Sequence, residues 1–435
     1  MLTELAKEIL KQAEAFGATS ADVSLSEAKG FSVTVRMGKV ETIEHHQDRG
    51  VSLTVYLGHK TGMASTTDFD SEAIKATVNK AYSIAKYTEE DEYAGLADAN
   101  LLAKRIPDLD LFHPWEITPT EAVEVAKECE EFARAQDVRI TNSEGATVNT
   151  CQTHYIYANT HHFMGEMKTT RHSIDINLIA KEKGEMERDY DYTVARDAND
   201  LMSIKNLAKN TAYRTVKRLS ARKLKTQKTP VIFEARLARG LLAHFIDAIS
   251  GSRLYRKSSF LLDHLNKQVF PKFMTIDQRP LILKGLNSSA YDDEGVQTVE
   301  RQYVESGILK SYVLNSYSAR KLGLQTTGNA GGIYNLFVNT SNRNLDDLIK
   351  QIDAGLLVTE LIGQGVNIMT GDYSRGAFGY WIEHGEIQYP VHEITIAGNL
   401  KDMFLGIQSI AHDVDTRGAI RTGSILVDQM TIAGE

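Results

Sequence analysis

The feature that most constrains this chain is a repeat in its first half. Leu2, Leu5, Ala6, Ile9, Leu10, Ala13 and Phe16 recur at intervals of three and four, the signature of one buried helix face. Ala6, Ile9, Leu10, Ala13 and Phe16 are matched 116 positions later by Ala122, Val125, Ala126, Cys129 and Phe132. The second helix opens with Thr118-Pro119-Thr120-Glu121, a capping box with proline at the first helical position. Alternating, strand-like segments follow each helix. The first set covers 22–25, 31–37, 40–46 and 51–57, then turns through Gly58-His59-Lys60-Thr61-Gly62 into 63–66. The second covers 137–142, 147–159, 163–170 and 172–180, then turns through Lys181-Glu182-Lys183-Gly184 into 185–192. Each set ends in another helix, 70–87 and 200–219, and these share Asn79-Lys80-Ala81-Tyr82 and Asn210-Thr211-Ala212-Tyr213. The first 222 residues therefore read as a duplicated unit of helix, antiparallel strands and helix, over 1–105 and 116–222. Pro107, Pro114 and Pro119 punctuate the join.

A basic segment follows, from Arg214 through Lys217, Arg218, Arg222, Lys223 and Lys225 to Lys228. With no interleaved aromatics, it reads as a solvated helix face running into a linker, with an anionic partner as the alternative. Beyond Pro230 the texture changes. Short β-like runs at 231–233, 281–284, 298–305, 308–314, 366–370, 379–383, 386–389, 394–396 and 425–427 alternate with glycine-rich turns. Helices are expected at 236–249 and 344–355. The fold class is α+β: a duplicated N-terminal domain, and a mostly antiparallel β domain over 230–435.

Composition narrows function. The net charge of −8 argues against a general nucleic-acid binder. No apolar run approaches the ~18 residues needed to cross a bilayer. The first residues mix Glu4, Lys7, Glu8 and Lys11 among the apolar ones, unlike a signal peptide, so a cytoplasmic protein is expected. Two cysteines, Cys129 and Cys151, rule out a disulfide framework or a four-cysteine zinc site, and both read as buried structural thiols.

No complete catalytic constellation is visible. A zinc peptidase helix carries two histidines about a turn apart with a glutamate beside the first. His392-Glu393 begins like that motif, but Ile396 and Ala397 follow and the segment reads as a strand. His244 lies on a good helix, but Phe245 follows it, and then Ala248 and Ile249. Adjacent pairs such as His45-His46 and His161-His162 point to opposite faces of a strand. His154, His161, His162 and His172 could converge across neighbouring strands, but no helical geometry enforces it. There is no Gly-x-Ser-x-Gly elbow, and the glycines at 328, 331 and 332 lack the phosphate-loop spacing. Asp292-Asp293-Glu294-Gly295 reads as a solvated turn, with a divalent-cation site as the alternative.

Ordered motifs in the second half carry a resemblance. They are Ala290-Tyr291-Asp292-Asp293-Glu294-Gly295-Val296, Gly307-Ile308-Leu309-Lys310-Ser311-Tyr312 and Thr326-Thr327-Gly328-Asn329-Ala330. Further on come Thr370-Gly371-Asp372-Tyr373-Ser374-Arg375-Gly376-Ala377 and Val391-His392-Glu393-Ile394-Thr395-Ile396-Ala397-Gly398-Asn399-Leu400. In order and spacing they resemble the TldD/PmbA family, the modulators of DNA gyrase. In its TldD branch a helix bears His-Glu-x-x-x-His and a later cysteine completes a zinc site; the PmbA (TldE) branch lacks these ligands. Here the matching helix offers His244, with Phe245 and Ile249 in place of the other two, and no cysteine near 409–418. The chain resembles the PmbA/TldE branch.

The resemblance implies a non-catalytic, substrate-holding subunit of a heteromeric zinc metallopeptidase, with no metal ligands or catalytic residues in this chain. Zinc would sit in a TldD-type partner. Substrates would be unfolded peptides, including a microcin precursor leader and an antitoxin, and the link to gyrase would be indirect. Substrate contacts are expected at Asn329, Tyr373, Arg375 and His392. A homodimer is expected when the partner is missing, and no direct contact with nucleic acid or membrane. Two rivals stand beside this reading. One is an autonomous metallopeptidase using His154, His162 and His172. The other is a binding protein for gyrase or a toxin–antitoxin component, engaged through the basic run around Arg218.

Overall fold

A computed structural model of the chain describes residues 2–434. The duplicated half consists of α1 (Leu2–Ala15), β1 (Ser20–Arg36), β2 (Lys39–Leu57), β3 (Lys60–Thr66) and α2 (Ser71–Tyr87), then α3 (Pro119–Arg134), β4 (Ile140–Asn159), β5 (Met164–Glu182), β6 (Glu185–Ala195) and α4 (Ile204–Lys217). The capping box of α3 forms: the Thr118 hydroxyl accepts from the Glu121 N–H at 3.2 Å, and the Glu121 carboxylate accepts from the Thr118 N–H at 2.8 Å. The six strands make one antiparallel sheet in the order β3-β2-β1-β4-β5-β6. The repeats join where β1 pairs β4, from Asp22↔Asn159 to Val35↔Ala146.

The strands are longer than the sequence suggests. Segments 22–25 and 31–37 are one strand, because Gly30 does not turn the chain. A Cβ there would lie 2.0 Å from the Thr150 carbonyl oxygen and 2.7 Å from His46 Nε2, so glycine permits close strand approach. Odd-numbered residues of β1 share one face. Ala21, Val23 and Leu25 pack with α1 and α2, and Val33 and Val35 with α3 and α4, so both helix pairs cover the same side of the sheet.

The second half continues with β7 (Gln227–Phe233), α5 (Ala235–Ala248), α6 (Gly251–Tyr255), β8 (Ile276–Gln278), β9 (Arg301–Glu305), β10 (Ile308–Leu309), α7 (Ser316–Lys321), β11 (Leu336–Val338), α8 (Leu345–Lys350), β12 (Ala354–Ile362), β13 (Asp372–Glu383), β14 (Glu386–Asn399), α9 (Leu400–Leu405), β15 (Ile407–Ile410), β16 (Ile420–Arg421) and β17 (Ile425–Ala433). A six-stranded sheet runs β14-β13-β12-β7-β17-β15, and β14 also pairs β17, so the sheet closes on itself. A smaller sheet runs β10-β9-β8-β11-β16. Pairing is mostly antiparallel; β7–β12 and β11–β16 are parallel. Leu241, Leu242 and Phe245 of α5 join the core inside. Segment 281–284 is a series of turns, with Leu281 and Leu283 48% and 64% exposed; its apolar residues face solvent and pair with no strand. Segment 366–370 makes only the bridge Val366↔Tyr373, and the helix expected over 344–355 is the six-residue α8.

The basic run divides: Lys217, Arg222, Lys223, Lys225 and Lys228 are exposed, as a solvated face would be, but two of its arginines are not. Arg214 and Arg218 turn into the joint between the halves, where buried Asp189 of β6 meets Arg214, Arg218 and Arg236 at 3.4, 3.7 and 3.2 Å. Glu234 takes Arg214, and Glu187 and Glu360 take Arg218. Arg218 also stacks 3.7 Å over the Phe378 ring, and Arg222 lies 4.5 Å over Tyr389.

Candidate functional site

The chemistry-bearing residues gather where α5 crosses β13. Period-two alternation puts Tyr373, Arg375 and Ala377 on one face of β13, and that face meets α5. The His244 ring stands edge-on to the Tyr373 ring, centroids 6.0 Å apart, and Phe233 flanks Tyr373 at 6.4 Å. Tyr373 is 2% exposed; burial pushes its hydroxyl up to about 12 against the opposing pull of Arg375, so it stays a neutral donor. Burial, and then the Arg375 charge, hold His244 below the usual histidine range, with Asp247 pulling the other way. Asp247 itself is engaged by Arg253 in two 3.0 Å bonds.

This setting does not fit a zinc ion. Phe245 and Ile249, at the positions a glutamate and second histidine would need, are 0% exposed. Phe245 packs against Phe270 at 4.9 Å and Phe404 at 6.1 Å, so its helix phase points it into the core. Among the described residues, no three His, Cys, Asp or Glu side chains are grouped to hold a metal.

The strand histidines do not converge. His154 pairs Lys168 while His172 pairs Thr150, four residues further along the sheet, or ~13 Å. Both nitrogens of buried His172 are engaged, by the Thr150 hydroxyl at 2.9 Å and the His113 carbonyl at 2.8 Å. His154 Nε2 bonds Glu166 at 2.9 Å, and His162 sits exposed on a turn at φ 64°. The Cys129 thiol is buried and pushed up to about 12 by desolvation, which makes it unreactive.

Of the four expected substrate contacts, the structure brings two together. Tyr373 and Arg375 adjoin His244. Asn329 lies elsewhere, 4% exposed, with both amide hydrogens donated, to Gln278 at 2.9 Å and the Gly332 carbonyl at 2.7 Å, and its oxygen accepting from Tyr303 at 3.0 Å. It braces the loops around β8 and has no free donor for a peptide. His392 lies on β14 at the joint, 4.0 Å from Glu187, with its N–H donated to the Arg222 carbonyl.

The 292–295 segment is a turn, as expected, with Asp293 exposed, but its first carboxylate is buried rather than solvated. Asp292 is 1% exposed and accepts the N–H groups of Glu294, Val296 and Ala330, each at 2.9 Å. Glu294 accepts the Ser316 N–H at 2.9 Å. Burial, then Glu294, push Asp22 of β1 up to about 7, so this loop and the first sheet form an acidic contact that sequence reasoning missed.

The family models match in three blocks: the PmbA/TldA metallopeptidase domain 1 at 21–85, the central domain at 112–219 and the C-terminal domain at 226–434. The chain belongs to the PmbA/TldD family. Metalloprotease PmbA of Escherichia coli O157:H7 is 48% identical over 95% of this chain and 92% of that protein. The Haemophilus influenzae PmbA homologue is 46% identical over the same shares, and the TldD homologue of that species 23% identical over 90% and 85%. The family resemblance is thus to the PmbA type. A crystal structure described as a modulator of DNA gyrase, from Bacteroides thetaiotaomicron, has a TM-score of 0.94 at 27% identity, covering 100% of this chain and 99% of that one. TldE from Thermococcus kodakarensis shares the fold, with a TM-score of 0.84 at 20% identity over 99% and 100%. Among the described residues, no helix is long and apolar enough to cross a membrane.

Proposed function

We propose that this metallopeptidase-family chain is the non-catalytic, peptide-holding subunit of a heteromeric peptidase in the cytoplasm. Its zinc-bearing subunit is of the TldD type, and its substrates are unfolded peptides. One observation carries the reading. On α5 the two positions that would complete a metal site are core residues, Phe245 and Ile249, and the remaining histidine faces a guanidinium instead of a ligand set. A cation beside His244 opposes a second cation there. In the partner, zinc would polarise the scissile carbonyl and lower the pKa of bound water. This chain's part is to bind and orient the peptide, with Tyr373 and Arg375 the side chains best placed to do it.

The test is cleavage of an unfolded peptide by this chain alone, a TldD-type partner alone, and the two mixed, each with and without chelator. Cleavage only in the mixture, lost with chelator, is expected. Chelator-sensitive cleavage by this chain alone refutes the proposal.

A further inference from the structure

We propose that Arg375, Tyr373 and His244 form a receptor for the free C-terminal carboxylate of a peptide. The proposal deepens the peptide-holding reading and rests on it.

The argument starts from an unpaired cation. Buried guanidiniums at the joint each meet a carboxylate: Arg214 meets Glu234, Arg218 meets Glu360 and Arg236 meets Asp189. Arg375 meets none among the described residues, although it is partly buried; the Tyr373 hydroxyl is its hydrogen-bonding neighbour, and its Nε, like those of Arg214 and Arg236, is shut away from solvent without a partner. Its neighbours on that face of the sheet are Tyr373 and Ala377 along β13, Ile394, Ile396 and Gly398 on β14, and Leu361 on β12. None carries a charge. From the helix above, His244 is the titratable group that faces it, and Asp247 beyond is already held by Arg253.

A half-buried cation among apolar neighbours is costly unless an anion completes it. The fork of a guanidinium matches a planar carboxylate, and the Tyr373 hydroxyl supplies one further donor. The same anion would relieve the repulsion between Arg375 and His244 and favour the imidazolium, adding a third donor. A chain of net charge −8 cannot steer anions from a distance, so recognition must come from such short-range bonds. The site thus selects for a chain end, and side chains along the peptide leave it indifferent.

The test uses the full chain and a fluorescent unfolded peptide in three forms: a free C-terminus, an amidated C-terminus, and an amidated peptide carrying an internal glutamate. Binding is read by anisotropy. The free acid is expected to bind about 10- to 100-fold more tightly than either amide, the worth of charged hydrogen bonds at a partly buried site. Arg375→Gln should bring the three forms within about twofold of one another. Arg375→Lys should restore part of the preference, and Tyr373→Phe should lose part of it, both with unchanged thermal unfolding. Equal affinity of acid and amide, a preference that survives Arg375→Gln, tight binding of the internal-glutamate amide, or no peptide binding at all overturns the proposal. Mixed with a TldD-type partner, equal chelator-sensitive cleavage of acid and amide defeats this inference and leaves the subunit reading intact. An acid preference in binding with no cleavage in the mixture does the reverse.

Discussion

Asp189→Asn tests whether Arg214 and Arg218 of the basic run act as an internal strut. The substitution keeps the shape and the acceptor for the Tyr190 N–H, and removes one charge from a carboxylate that is 4% exposed. Breaking a buried ion pair costs about 3–5 kcal/mol when a partner is left uncompensated. Here each guanidinium keeps a second carboxylate: Arg214 and Arg236 keep Glu234, and Arg218 keeps Glu187 and Glu360. The cost therefore falls at the lower end, about 3 kcal/mol. Because the joint is buried, the loss should change little with added salt. Urea unfolding followed by tryptophan fluorescence is the assay. Trp115 lies in the first half and Trp381 in the core of the second, so a Trp115→Phe background reports the second half alone. The reasoning predicts a lower midpoint for both probes. A loss below about 1 kcal/mol, or one abolished by salt, would show that the cluster behaves like a surface pair and refute it.

Three further outcomes follow from the same geometry. Gly307→Ala should cost about 2 kcal/mol or more by urea titration, since φ is +77° and the added carbon would lie 2.2 Å from the Phe270 carbonyl oxygen. Phe245→Glu with Ile249→His should lower the unfolding midpoint steeply and yield no stoichiometric zinc by metal analysis, because both side chains would enter a packed aromatic core. Asp22, raised to about 7 in the fold from an ordinary value of 3.8, binds a proton more readily folded than unfolded. Its stabilising term is full below pH ~4 and is lost as pH rises through ~7, so Asp22→Asn should flatten the fall in stability across that window.

Much of the fold was legible because its signals are local. The α3 capping box, the period of α1 and the hairpin turns each depend on a few adjacent residues. The break read between 25 and 31 is absent because the glycine there, Gly30, serves a close approach of strands, which only the neighbouring strand reveals. Leu281 and Leu283 misled because an apolar run does not reveal whether a partner strand exists. Of the site, Tyr373 and Arg375 share a face by simple alternation, which the sequence displays. Their meeting with His244 depends on α5 crossing β13, a contact between residues more than a hundred positions apart. Asp292 was misread because a polar loop residue looks solvated until the backbone groups it serves are known, and Asn329, expected as a substrate contact, likewise spends its amide hydrogens inside the fold.

That misjudgement bears on how function should be read from motifs in this family. A polar residue in a glycine-rich motif has two uses, to satisfy buried backbone or to meet a ligand, and only spare hydrogen-bonding capacity separates them. Asn329 has no spare donor, and Asp292 accepts three N–H groups. Arg375 has the Tyr373 hydroxyl beside it, an Nε without an acceptor, and no carboxylate partner among the described residues. The motif Thr370–Ala377 therefore differs in kind from Thr326–Ala330, although both are equally conspicuous in the sequence. The first leaves a cation unsatisfied at a partly open position, which a folded chain tolerates only at some cost in stability. A ligand that completes Arg375 would offset that cost, which is why the search for this chain's substrate begins at β13.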